Sequence, residues 1–166
     1  MLAARLVLPV SMVAMFALVY HRAVAATSRW LIKSEPSVYT WSRLVEDRKT
    51  RWDGVRNFAA RNCLRAMKLG DGCFFYHSNE GKEIVGVARV VRTAYPDPTA
   101  KGEDWSVVDV EPAFALVAPV SLAAIKATAA LAKMQLVTHS RLSVQSVTVD
   151  EWKAVLAMGK TKPPRG

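Results

Sequence analysis

The chain has 166 residues, 51% of them hydrophobic and 22% charged, a composition that supports one domain with a sizeable core and leaves no comfortable room for two. Twenty-three Lys and Arg against 14 Asp and Glu give a net charge of +9, a balance that favours a polyanionic partner because each neutralised phosphate releases counterions. No low-complexity run or internal repeat stands out, and no Rossmann, P-loop or nucleophile-elbow spacing is present, which sets aside the common nucleotide-hydrolysis and Ser-hydrolase classes.

Residues 1–26 are of another kind. Arg5 precedes an apolar run from Leu6 to Tyr20, and Ala23-Val24-Ala25 follows. A positive flank, a short apolar core and an Ala-x-Ala site make the plan of a secretory signal peptide, and the run is short for a membrane span. The competing readings are a mitochondrial-type leader, for which arginines and hydroxyl residues are too few, and a start assigned upstream of a native one near Thr27. Subtracting Arg5 and Arg22 leaves a charge of +7, so the basic character belongs to the domain.

In chain order, "RWLIKSEP" predicts a strand from Trp30 to Ser34, closed by Pro36. Thr40 caps a short helix running to Asp47. A loop carrying Trp52 leads into a basic helix over residues 57 to 67, ended by the glycines of "KLGDG". Strands follow at Cys73–Ser78 and, after an "NEGK" turn, over "EIVGVARVVRTAY". Beyond the "PDPTAKGED" loop, "WSVVDVEPAFALVAPV" is a long strand with a bulge or edge at Pro112. Ser121 caps a helical "SLAAIKATAAL", "THSRLSVQSVT" is extended or irregular, and "VTVDEWKAVLAMG" is a helix stopping at Gly159. Strands in the middle with helices before, between and after them favour an α+β fold, a curved antiparallel sheet or small barrel with flanking helices.

On the basic helix, Asn57, Arg61 and Arg65 share a stripe beside an apolar one of Ala60, Cys63, Leu64 and Met67. The polar stripe is either a solvated face or an anion-facing one, with Asn62 on the far side as a structural hydrogen-bonder. Trp52, between charged neighbours, suits base stacking with flanking phosphate contacts. Strand alternation puts Lys33 and Glu35 on one face and Trp30, Ile32 and Ser34 on the other; a surface pair and a pocket pair both remain open. His77 and His139 are the histidines of the domain, His77 in a strand where a hydrogen-bonded structural role is the commoner one. Asp97, Asp104, Asp109 and Glu111 are expected to be solvated. Cys63 and Cys73 lack zinc-site grouping and are expected to be buried free thiols.

"WLIKSEP", the segment from "WDGVRNFAARNCLRAMKLG" to "FFYHSNEGKEIVGVARV", "YPDPTA" and "LVTHSRLSVQSV" together resemble the EVE domain, a PUA-like family, from about Trp30 to Gly159. The resemblance implies a PUA-like small mixed or antiparallel β-barrel with flanking helices, spanning 27–159, with 1–26 outside it and 160–166 a basic tail. It implies a non-enzymatic reader that takes a flipped modified base, of the 5-methylcytosine or 5-hydroxymethylcytosine type, from DNA or RNA, without cofactor, metal or membrane span. Because the family generally lacks a secretory signal, the upstream-start reading and a cytoplasmic location are expected; secretion follows only if residues 1–26 are a real signal peptide. The implied site comprises Trp30, Lys33, Ser34, Trp52, Asn57, Tyr76, His77, Ser78, Trp105, Ser140 and Arg141, with Arg61 and Arg65 beside it on the phosphate path. Two alternatives stand: a general RNA-binding module, and an amidohydrolase on acylated cytidine like ASCH-type relatives. The latter would use Lys33, Ser34 and Glu35, although adjacent strand positions alternate faces and are not expected to enter one pocket.

Overall fold

The computed structural model describes residues 28–163, Glu103 excepted. The leader at 1–26 and the end of the basic tail therefore lie outside the described residues. Six strands form one mixed sheet in the order β2-β5-β4-β3-β1-β6. They are β1 (Arg29–Ser34), β2 (Thr50–Trp52), β3 (Gly72–His77), β4 (Glu83–Pro96), β5 (Ser106–Ser121) and β6 (Val144–Val147). β1 and β3 run parallel, and the other pairs are antiparallel. The fold is α+β and PUA-like as expected. The sheet does not close into a barrel, since among the described residues no pairing joins β2 to β6.

Alternation along the inner strands sorts two cores, one on each face. Trp30 and Ile32 of β1, Cys73 and Phe75 of β3, Trp52, Val90, Val108 and Val110 gather on one face. There Leu44 of α1 (Trp41–Asp47) and Ala60, Leu64 and Met67 at α2 (Phe58–Ala66) pack onto them. Leu31, Phe74, Tyr76, Val87 and Val120 project to the other face. They meet Ile125 of α3 (Leu122–Ala127), Leu136 of α4 (Gln135–Thr138) and Trp152, Val155 and Leu156 of α5 (Val149–Met158). Both faces of the sheet are thus covered by helices. Two glycines make room for large rings on opposite sides: a Cβ at Gly86 would lie 2.6 Å from the Trp41 ring, and one at Gly72 would lie 2.9 Å from Trp152.

The local signals read from the sequence hold at the helix starts. The side chains of Thr40 and Ser121 accept from the backbone N–H three residues on, and Thr148, not singled out in the sequence, does the same with Glu151 as a capping box. Pro112 sits at a bulge, where the β4–β5 register shifts between Val87/Phe114 and Ala88/Pro112. Three elements differ from expectation. The Trp52 segment is a strand rather than a loop, because three residues find the edge of β5 at Val108–Val110. The helix after Ser121 stops at Ala127. Thr128 turns extended there, and its hydroxyl donates to the carbonyl of Ala124, ending the ladder before a single 3-10 turn at Ala129–Leu131. α4 is a one-turn helix that no sequence signal marked, ending at Thr138 where the stretch read as extended or irregular begins.

Candidate functional site

β1 ends at Ser34 and the chain turns at once, the Glu35 carbonyl accepting from the N–H of Val38 at 2.8 Å and of Tyr39 at 2.9 Å. β2 follows along the sheet edge, and the chain beyond it bends at Gly54, whose φ of 74° suits glycine. The β1 end, this turn, the β2 segment and Ser143 enclose a cavity of about 450 Å³. Trp52, Tyr39, Val38 and Val55 supply its apolar and aromatic lining; Lys33, Ser34, Glu35, Thr50, Arg51, Asp53 and Ser143 supply polar groups. A pocket of this size with an apolar body and a few convergent polar groups suits a small planar ligand.

Its parts are held from behind. Trp52 is buried, with its ring edge-on to Phe75 at a centroid distance of 5.5 Å and 83°. The Tyr39 hydroxyl donates to Asp47 at 2.9 Å, and burial pushes its pKa up. Arg51 and Asp53 pair at 3.1 Å. Lys33 is tied by its own N–H to the Ser143 carbonyl at 3.0 Å and by its ammonium to the Ser140 carbonyl at 2.8 Å, 5.8 Å from the Tyr76 ring centre.

Of the expected site residues, Lys33, Ser34 and Trp52 line this cavity. Tyr76 lies under the Lys33 ammonium on the other face of the sheet, and burial raises its pKa. Ser140 acts through its carbonyl, Arg141 is exposed beside it, and the Ser78 N–H extends the ladder to Ser34 O at 2.9 Å. The others have structural partners. The Trp30 indole donates to buried Asp71 at 2.8 Å. His77 Nε2 accepts the Trp41 N–H at 3.1 Å, and burial, opposed by Glu83, lowers its pKa, so it serves as a neutral cap of α1. Asn57 is the N-cap of α2, accepting from the Ala60 N–H at 3.0 Å, rather than a member of a helix stripe. Trp105 stacks on Phe58. Arg61 donates to the Asp104 carbonyl and Asn62, and Arg65 donates to Ser106 and pairs with Asp104 at 2.7 Å, so both staple α2 to the 97–105 loop.

The carboxylates expected to be solvated have partners too. Arg56 and Thr99 bind buried Asp97, Tyr95 donates to Asp109 at 2.6 Å, and Arg89 pairs with Glu111. Burial pushes Asp97 up, but the bonds from Thr99 and Arg56 prevail and hold it below the usual carboxylate range. Cys63 is half-buried and Cys73 buried, both free, with burial raising both thiols. Reading by residue type missed Tyr39, Thr50, Val55 and Ser143; the shared facing of Thr50 and Trp52 in a period-2 stretch was the available signal.

Lys33, Ser34 and Glu35 all border the cavity, with Glu35 in the turn after β1, but the alternation of Lys33 and Ser34 holds, since the Lys33 ammonium goes to the Ser140 carbonyl beside Tyr76. A larger concavity of about 590 Å³ lies at the other end of β1, bounded by Arg29, Trp152, Lys153, Lys160 and Lys162. It is rimmed by lysines, and the Thr161 hydroxyl in its lining is already engaged by the Val117 N–H and the Gly159 carbonyl.

A family model described as the EVE domain matches residues 28–158. The chain belongs to the EVE domain family. Mouse thymocyte nuclear protein 1 is 40% identical over 172 residues, covering 81% of this chain and 74% of that protein. The crystal structure of a protein from Agrobacterium tumefaciens superposes on this EVE domain with a TM-score of 0.81 at 45% identity, over 84% of this chain and 99% of the other. The human THYN1 protein, solved in complex with 5-methylcytosine containing DNA, superposes with a TM-score of 0.75 at 36% identity, over 82% of this chain and 100% of that one. Among the described residues of the EVE domain no helix is long and apolar enough to cross a membrane, and no three His, Cys, Asp or Glu cluster to hold a metal ion.

Lys33 of the EVE domain offers a direct check. Its half-burial lowers the pKa from 10.5 to about 8. Below pH 8 both folded and unfolded chains carry the proton; between 8 and 10.5 the folded chain releases it first, so this residue makes stability rise with pH across that window. The midpoint of Lys33 acylation against pH, followed by peptide mass spectrometry, is expected near 8 rather than 10.5. A midpoint near 10.5 would show the ammonium to be fully solvated.

Proposed function

We propose that this EVE domain, residues 27–159, is a non-enzymatic reader that binds a modified base of the 5-methylcytosine or 5-hydroxymethylcytosine type in DNA or RNA by taking it, flipped, into the 450 Å³ cavity. The observation that carries the reading is Trp52 in the cavity lining, its ring fixed edge-on to Phe75, with Ser34, Thr50 and Ser143 bordering the same cavity. An indole held in place stacks on a base without ordering cost, and hydroxyl and backbone groups bordering the same cavity can address the base edge. Stacking of ~1–3 kcal/mol offsets most of the few kcal/mol that extruding a base costs. A net charge of +7 over residues 27–166 supplies affinity for the backbone without sequence preference. The 5-methylcytosine DNA complex of the human relative supports the same partner class here. The reading carries with it a cytoplasmic location.

The test is fluorescence anisotropy of the full chain with matched DNA and RNA probes carrying cytosine, 5-methylcytosine or 5-hydroxymethylcytosine, at two salt concentrations. A modified-base preference that persists at the higher salt, and that Trp52→Phe reduces several-fold, is expected. Equal and steeply salt-dependent binding to every probe would leave a basic surface alone and sink the reading.

One observation favours a second reading. Lys33, Ser34 and Glu35 border the cavity, and burial lowers the pKa of the Lys33 amine to about 8. These are the residue types an amidohydrolase on acylated cytidine would need. Release of acetate from N4-acetylcytidine, lost in Lys33→Ala, would establish that activity; no release at high enzyme concentration would dismiss it.

A further inference from the structure

Phe58 has no role in the cavity, yet it is the most elaborately supported exposed ring in the domain. It opens α2 and is 57% exposed. Its ring stacks on buried Trp105 with centroids 5.1 Å apart and planes 17° from parallel. The Arg61 guanidinium is 4.9 Å from the Phe58 centre and 5.8 Å from that of Trp105. A group capping the outer face of Phe58 would stand about twice as far from Trp105 as from Phe58, so Arg61 lies beside the pair and leaves that face open. The Arg61 Nε is buried without a hydrogen-bond partner among the described residues. Arg56, 5.8 Å from the Trp105 centre, donates to Asp97 at 2.7 Å and to the Val55 carbonyl at 3.0 Å. Val55 lines the cavity. Arg56 thus stands between the stack and the cavity lining, and Phe58 lies three residues from Val55, a span of at most about 11 Å.

We propose that the open face of Phe58 is a second stacking platform, which receives a base neighbouring the one held in the cavity, with the Arg61 guanidinium supplying positive charge beside it. A single exposed phenylalanine needs no explanation in general. This one is pre-ordered by a parallel ring beneath it and two arginines fixed by acceptors, as a base-stacking surface requires. At a rise of 3.4 Å per base, the platform is within a few steps of the cavity along one strand. The inference rests on the reader function proposed above and names where the flanking nucleotide goes.

The experiment compares the full chain with Phe58→Ala and Phe58→Tyr on two ligands, a duplex with one central 5-methylcytosine and the mononucleotide 5-methyl-2′-deoxycytidine 5′-phosphate. Expected is a loss of roughly 5- to 100-fold in duplex affinity for Phe58→Ala, recovery to within about 3-fold for Phe58→Tyr, and unchanged mononucleotide affinity for both. Phe58→Ala binding the duplex as tightly as the parent, with the modified-base preference intact, would overturn the platform and leave the cavity reading standing. Equal losses on duplex and mononucleotide would also overturn it, since Phe58 would then act through the cavity. Absence of any modified-base preference in the parent chain would instead remove the reading on which the platform rests.

Discussion

Trp52→Ala is expected to lower the unfolding free energy by about 3–5 kcal/mol, a large part of what a domain of this size has. Trp52 is 8% exposed, closes the edge of one core and holds Phe75 edge-on. Truncation leaves a void beneath the cavity wall that three residues of edge strand are too short to collapse into. The alanine variant therefore reports folding as much as binding. Trp52→Phe keeps an aromatic ring against Phe75 and is expected to cost less than half as much, while shrinking the surface available to a stacked base. Urea titration of both variants beside the parent separates the two effects. Equal stability of Trp52→Ala and the parent would place the ring outside the core and contradict the geometry of the wall.

Asp71→Ala is expected to cost about 3 kcal/mol, the second largest effect. Asp71 is 1% exposed and accepts both the Trp30 indole N–H at 2.8 Å and the Lys68 N–H at 3.0 Å. Removing it strands two donors in a place water does not reach. Trp30→Phe removes one of those donors, so the double variant should recover about 1–2 kcal/mol of the summed single losses. Neither change should alter discrimination between modified and unmodified probes once the folded fraction is accounted for. Thermal or urea unfolding gives the first result and anisotropy the second. A strict sum of the single effects, or a lost modified-base preference in Trp30→Phe, would return Trp30 to the binding site.

The order and type of most elements were legible because their signals are local. Thr40, Ser121 and Gly159 mark helix ends, and Pro112 marks the bulge by its missing N–H. β2 was not legible, since Thr50–Trp52 is a strand only by virtue of pairing with Val108–Val110, over fifty residues away. The site divided the same way. The segments that meet at the cavity, "KSEP" and the "WDGV" loop, stand out by composition, and both line it. Side-chain roles inside them depended on long-range partners. Trp30 reads like Trp52 in sequence, but Asp71, 41 residues on, takes its indole into the core. Arg61 and Arg65 read as phosphate ligands, but Asp104 and Ser106 claim their guanidiniums across about forty residues. Tyr39 carries no distinguishing neighbours, and Ser143 stands beside the expected Ser140 and Arg141 but enters the cavity only through the turn that places it.

The central claim is the location of the base, and amide and indole NMR shifts tell one end of β1 from the other. Titrating 5-methyl-2′-deoxycytidine 5′-phosphate into the full ¹⁵N-labelled chain should move the Trp52 indole N–H and the amides of Lys33 to Glu35, Asp53 to Val55 and Ser143, leaving the Trp152 indole in place. Shifts confined to Trp152, Lys153 and Lys160, around the lysine-rimmed concavity, would contradict it.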